Sequence, residues 1–286
     1  MLKKDRLDTS SISFTALYTG HVWSANGLSA PAFHTRMGSL FYHALAPFEL
    51  MGGKLVGGNI RTFLLQRHHL IDHLVEKAIE EEGVTQILEI ACGLSPRGYR
   101  FCQRYPQLTY IEADLPDMAD RKQHLLARTG SLSAQHQAVP LNVFARGTDD
   151  ALENVVRGHF DQSKPLLVIT EGLVNYFDLP TIDGFWQRLR AVLAEHPHGI
   201  YLTDNYPLLD DHPFHRTMQT LRGLLGAVSR SRVSFHFGSD DEARQHFTAL
   251  GYDQVTVHNP QNFYRLLPMP RSRSTPFVRV VEARTP

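Results

Sequence analysis

The stretch Glu89-Ile90-Ala91-Cys92-Gly93-Leu94-Ser95-Pro96-Arg97-Gly98 decides the fold. Before it, Gln86–Ile90 (QILEI) reads as a short apolar strand. After it, Tyr99–Tyr105 reads as a helix. A strand, a tight small-residue turn and a helix in that order form the start of an α/β unit. In open α/β sheets ligands bind at the carboxyl ends of strands, near the point where strand order reverses. Small residues at such a turn let a ligand approach the backbone closely.

Working outward, the alternation continues. Leu108–Ala113 is a second strand and Asp117–Arg128 a second helix. Residues 135–139 are a third strand, with a helix around Thr148–His159. Pro165–Thr170 (PLLVIT) is a buried strand. Asp178 caps a helix that has Pro180 in its first turn and Ile182, Phe185, Trp186, Leu189 and Leu193 on its apolar face. Gly199–Thr203 is the next strand. Asp240–Leu250 is a helix, and Gln254–His258 and Val278–Ala283 form a closing antiparallel hairpin. The expectation is an α/β, Rossmann-like, seven-stranded and mostly parallel sheet with helices on both faces.

Upstream, a long helix spans about residues 60–82, its apolar residues recurring at three- and four-residue spacing, and Gly83 stops it. We expect residues 1–82 to form an N-terminal helical cap and 83–286 the ligand-binding domain. A helical insertion is expected at about 205–238, with Met218, Leu221, Leu224, Leu225 and Val228 on one side.

Composition narrows the field. The chain has 286 residues, 42% of them hydrophobic, and 29 basic side chains cancel 29 acidic ones. That balance argues against a general nucleic-acid binder, which needs a basic footprint. No apolar run approaches the roughly 20 residues that cross a bilayer, and the start lacks the apolar stretch of a signal peptide. Two cysteines, Cys92 and Cys102, cannot supply a four-ligand zinc site or a disulfide framework. A cytoplasmic protein acting on a small molecule is expected, with no metal, nucleic-acid or membrane partner.

The ligand can be read further. Asp114 ends the second strand twenty-one residues after Gly93, with Glu112 two positions before it. An acidic side chain there can accept hydrogen bonds from both hydroxyls of a ribose. A dinucleotide fingerprint wants three glycines. Here the positions are Ala91, Gly93 and Pro96, and Pro96 has no N–H for a phosphate. The loop suits a nucleoside without phosphates, and S-adenosylmethionine fits that description. Arg67 lies within the apolar stripe of the 60–82 helix. A buried guanidinium needs a partner, either a ligand or an internal carboxylate such as Glu89.

The segments ILEIACGLSPRGYRF (87–101), YIEADLPDMADRKQHLL (110–126) and LLVITEGLVNYF (166–177), with Ser13-Phe14-Thr15-Ala16, resemble the class I S-adenosylmethionine-dependent methyltransferases. Within them the sequence resembles the leucine carboxyl methyltransferase family, whose bacterial branch includes tetracenomycin polyketide O-methyltransferases. The resemblance covers about residues 10–205. It implies that Arg67 clamps the methionine carboxylate of the cofactor and that Glu171 faces its ammonium. It places Leu141-Asn142 at the adenine, where relatives often carry Asp. With Glu89, Ala91, Gly93, Glu112 and Asp114 these residues make up the expected cofactor site.

The expected reaction is methyl transfer to a carboxylate or hydroxyl oxygen. A carboxylate needs no general base, whereas a hydroxyl benefits from one. Tyr176 and Asp204 are the candidates, with His212 or His215 from the insertion. His69 and His73 are spaced like a metal pair but lack the intervening Glu of H-E-x-x-H, and are expected on the exposed side of their helix. Gly93-Leu-Ser95-Pro-Arg97 is not a hydrolase elbow, since Arg97 replaces the last glycine. Two other readings remain: a nicotinamide-dependent oxidoreductase, against which Pro96 and the missing glycine speak, and a noncatalytic nucleoside-binding regulator.

Overall fold

The fold is described from a computed structural model covering residues 9–44, 59–207 and 234–286. Seven strands form one sheet: β1 (Gln86–Ile90), β2 (Thr109–Asp114), β3 (His136–Pro140), β4 (Leu167–Thr170), β5 (Ile200–Asn205), β6 (Gln254–His258) and β7 (Arg279–Arg284). Their order is β3-β2-β1-β4-β5-β7-β6. The first five are mutually parallel, while β7 runs antiparallel between β5 and β6. The chain leaves β1 toward β2 on one side and later adds β4 on the other. The crevice at the carboxyl ends of β1 and β4 is therefore the topological switch point.

Seven helices carry labels: α1 (Thr9–Ala25), α2 (Ile60–Glu82), α3 (Arg97–Arg104), α4 (Pro116–Thr129), α5 (Leu152–His159), α6 (Leu179–Leu193) and α7 (Asp240–Ala249). A further helical turn covers 36–44. Helix α2 starts where the Asn59 side chain accepts the Thr62 amide and ends at Gly83, whose φ of 70° suits glycine. Asp178 accepts the Thr181 amide and opens α6 as expected. Several boundaries shift. The third strand begins at His136, one residue late. Helix α5 begins at Leu152, because Thr148–Ala151 is a turn closed by the Ala151 amide on the Thr148 carbonyl. Helix α3 begins at Arg97, two residues early. Much of the expected insertion, including His212 and His215, lies outside the described residues.

The two faces of the sheet differ in chemistry. One is apolar: Leu88, Ile90, Ile111, Val168, Tyr201 and Val281 pack against Leu152, Val155, Phe185, Trp186, Leu189 and Phe247 of α5, α6 and α7. The other packs α2 and α3 over Ile87, Tyr110, Ile169 and Val280. That face also buries Glu89 and Glu112 on neighbouring strands. Helix α3 lies so close that a Cβ on Gly98 would come within 2.5 Å of Glu112 Oε1 and 2.9 Å of the Tyr110 ring. Helix α1 crosses the top, where a Cβ on Gly93 would meet Ala16 at 3.2 Å and one on Gly20 would meet Leu94 at 3.0 Å. Among the described residues no helix is long and apolar enough to cross a membrane.

Candidate active site

The loop after β1 is shaped by its backbone. Ala91 and Gly93 both have positive φ, 55° and 50°. An alanine in that region is uncommon and costs energy that surrounding bonds must offset. Here the Cys92 amide donates to the Ala113 carbonyl and the Ser95 amide to that of Cys92. The Gly93 amide donates to Asp114 Oδ2 at 2.8 Å, and the Leu115 amide to Oδ1 at the same distance. Burial pushes the Asp114 carboxyl above its ordinary value, and these two amides pull it back. A carboxylate has about four lone-pair positions, so Asp114 keeps acceptor capacity after both bonds. Leu141 lies beside it, buried, with its amide on the Asp114 carbonyl at 2.8 Å. Asn142 Oδ1 already accepts the Phe144 amide. The adenine contact expected of that oxygen therefore meets one that is part of a turn.

Glu112 is engaged within the fold. Its side chain is completely buried, ion-paired with Lys122 and 2.9 Å from His136 Nε2. Lys122 also donates to the Ser95 carbonyl at 2.5 Å, tying α4 to the loop. Burial opposes ionisation of Glu112, but Lys122 and His136 hold its carboxyl below the ordinary value.

Arg67 meets the carboxyl ends of β4 and β5. Its Nε donates to Glu171 Oε1 at 2.9 Å, and its Nη1 to Asp204 Oδ2 at 2.8 Å and to the Tyr206 hydroxyl at 2.7 Å. Asp204 also accepts the Gly172 amide at 2.7 Å. Arg67 Nη2 has no hydrogen bond among the described residues. Gly172, at φ 75°, lies against that nitrogen: a Cβ there would approach it to 2.9 Å. The internal partners of Arg67 are thus Glu171 and Asp204, not Glu89.

Glu89 belongs to a neighbouring arginine that sequence reading passed over. Arg97 is wholly buried and donates to Asp72, Glu89 and Glu171, each at 2.6 Å. Tyr110 donates to the other oxygen of Glu89 at 2.7 Å. His68 stands 3.0 Å from Glu171 through Nδ1 and 3.0 Å from Arg100 through Nε2, with Trp23 of α1 against its ring. Burial raises the Asp72 and Glu171 carboxyls, but His68 and the arginines outweigh it and hold both well below their ordinary values. Three arginines (67, 97, 100) thus interlock with four carboxylates (72, 89, 171, 204). The sequence signal for this network is the run Arg67-His68 with Asp72 one turn on, two charged turns inside an apolar stripe. His69 and His73, expected on the exposed side, are half-buried, and His73 packs against Phe263.

Of the candidate bases, Tyr176 and Asp204 lie within the described residues. Asp204 is fully buried with both oxygens engaged, so it positions Arg67 rather than facing an acceptor. Burial pushes the Tyr176 phenol up, against a smaller opposing effect of its hydrogen bond with Thr15 on α1. Tyr176 is therefore protonated at neutral pH, a donor rather than a base. No group of three or more His, Cys, Asp or Glu suited to a metal occurs among the described residues.

A seven-stranded sheet of this order, with its polar loops gathered at the switch point, defines the methyltransferase-like α/β fold. A crystal structure of a DUF574 family protein from Streptomyces avermitilis superposes with a TM-score of 0.63 at 11% identity, covering 95% of this chain and 97% of that one. A Thermobifida fusca structure provisionally titled a methyltransferase gives 0.59 at 15%, covering 100% and 99%. At such identities these likenesses concern the fold. The leucine carboxyl methyltransferase family model matches residues 45–188, half of the chain, and the chain belongs to that family. A Mycolicibacterium paratuberculosis protein provisionally named an S-adenosyl-L-methionine-dependent methyltransferase is 29% identical over 153 residues, 53% of this chain and 48% of its own length. A Mycobacterium bovis protein of the same provisional name is 24% identical over 203 residues, 70% of this chain and 62% of its own length. The chain thus spans about half to three-fifths of the length of these curated relatives.

Proposed function

We propose that the chain is an S-adenosylmethionine-dependent methyltransferase acting on an oxygen of a small molecule. The observation that carries the reading is Nη2 of Arg67, unbonded among the described residues and on the same sheet edge as the Asp114-held Gly93 loop. Two strand spacings, roughly 10 Å, separate the ends of β2 and β4. An amino-acid carboxylate at one end and a ribose at the other fit that interval. The donor set suits the cofactor: a guanidinium edge for its carboxylate, an acceptor with spare lone pairs for its ribose hydroxyls, and a turn shaped for close approach.

When bound, the cofactor supplies a sulfonium methyl: the acceptor oxygen bonds to that carbon as the carbon–sulfur bond breaks and its electron pair returns to sulfur. The chain's own residues orient and exclude water. Arg67 is fixed by Glu171, Asp204 and Tyr206, so it needs no reordering to grip a carboxylate. In this reading Glu171 balances Arg67 and Arg97 and adds negative potential near the ammonium. Helix α1 closes over the loop, and Tyr176 donates its O–H to the acceptor's second oxygen. With Asp204 engaged and Tyr176 protonated, a carboxylate acceptor, which requires no base, is favoured over a hydroxyl.

Calorimetry with S-adenosylhomocysteine, NAD and NADP tests the donor, and a screen of small carboxylic acids and phenols tests the acceptor. Binding of the homocysteine compound alone, with methyl transfer to an acid, is expected. Preferential binding of NAD or NADP would restore the oxidoreductase reading, and affinity without turnover on any acceptor the regulatory one.

A further inference from the structure

Charge that the fold does not use lines the groove between α4 and residues 31–35. Arg121, His124 and Arg128 stand at three- and four-residue spacing, on one face of α4. With Leu125 of the same helix, and His34 and Thr35 across from it, they line an open pocket of about 490 Å³. No described carboxylate lines it. Among the described residues neither Arg121 nor Arg128 has an ion-pair or hydrogen-bond partner. By contrast Arg67, Arg97, Arg188, Arg279 and Arg284 are each held by a carboxylate. Guanidinium groups gathered in one concavity repel weakly in water, and an anion between them turns that repulsion into attraction.

The remaining walls fit the same purpose. Leu125 packs with Phe33 and Leu94, giving the pocket an apolar floor that backs onto the glycine loop. Apolar surface with a few convergent polar groups is the usual composition of a small-molecule site. Thr35 Oγ accepts the Gly38 amide, which leaves its O–H to donate. The His34 ring lies 5.1 Å from that of His21, whose Nδ1 is buried without a hydrogen-bond partner among the described residues.

We propose that this pocket is a second ligand site, separate from the methyl-donor crevice, for a small molecule bearing a carboxylate or phosphate beside an apolar body. The two arginines grip the oxyanion, Thr35 adds a hydrogen bond, and the apolar body rests on Leu125. The proposal is independent of the methyl-transfer reading.

Benzoate, phenyl phosphate and inorganic phosphate serve as probes in calorimetric titrations of the full chain. The wild type, an Arg121→Ser/Arg128→Ser double variant and an Arg244→Ser control are compared. Benzoate or phenyl phosphate should bind the wild type and the control equally and the double variant at least tenfold more weakly. S-adenosylhomocysteine affinity should be the same in all three. Tighter binding of benzoate assigns a carboxylate ligand, and tighter binding of phenyl phosphate a phosphorylated one. The proposal is overturned if no probe binds, or if the double variant binds as the wild type does. Both arginines are exposed, and an unchanged melting temperature verifies that the double variant folds.

Discussion

In the proposed reading Arg67 performs two tasks that substitution can separate. Arg67→Ala would then remove a charge-assisted bond to the cofactor carboxylate, worth about 1.5–3 kcal/mol. It also strands Glu171 and Asp204, and breaking such a buried pair costs about 3–5 kcal/mol of stability. The expected outcome is a lower melting temperature together with a loss of S-adenosylhomocysteine affinity of roughly ten- to a hundredfold. Arg67→Lys keeps the charge and should recover much of the stability but less of the affinity, since an ammonium lacks the guanidinium's fork. Equal affinity for wild type and Arg67→Ala in calorimetry would remove the clamp. Asp114 and Glu112 make a second contrast. Asp114→Ala should weaken nucleoside binding, whereas Glu112→Ala should chiefly lower the melting temperature, because Lys122 and His136 lose their buried partner. The reverse assignment would transfer the ribose contact to Glu112.

At the scale of elements, the helix–sheet contact at Gly98 is a tight constraint. A methyl group there has nowhere to go, with Glu112 and Tyr110 both inside contact distance. Gly98→Ala should destabilise by about 1–3 kcal/mol, the usual cost of overpacking, read from a denaturant midpoint. A midpoint equal to that of the wild type would mean that α3 is free to lift. The elements themselves were largely legible. Helix α2 shows its period, its stop at Gly83 and its apolar stripe, and β4 stands out as a short apolar run between Pro165 and Thr170. The loop after β1 and Asp114 were legible because their spacing is set by one βαβ unit. What stayed hidden was Arg97, together with His68 and Asp72. A charged residue at the start of a helix looks like surface in a linear chain. Its burial depends on carboxylates from β1, β4 and α2, which only the folded sheet gathers. The engagement of Asp204 was hidden for the same reason: a strand-end carboxylate looks free until Arg67 arrives from 137 residues away.

For the whole molecule, the arginine–carboxylate network links stability to pH. Asp72 and Glu171 are held below their ordinary values of 3.8 and 4.5. A depressed carboxyl stabilises the folded state fully above the unfolded value and loses that contribution as pH falls toward the folded one. The melting temperature should therefore be steady from neutrality to about pH 5 and fall steeply below about pH 4. Glu171→Gln should start lower at neutral pH and show a shallower acid limb. Parallel acid limbs for the two proteins in scanning calorimetry would uncouple Glu171 from acid unfolding.

The placement of β7 between β5 and β6 has a consequence for biosynthesis. A ribosome delivers β6 before β7, the neighbour with which it pairs, and the flank of β5 stays open until β7 has cleared the exit tunnel. The parallel core can assemble while translation continues, but the antiparallel margin must wait for the last strand to slot in. A released chain truncated ahead of residue 279 should thus hold a protease-resistant β1–β5 core and a cleavable β6.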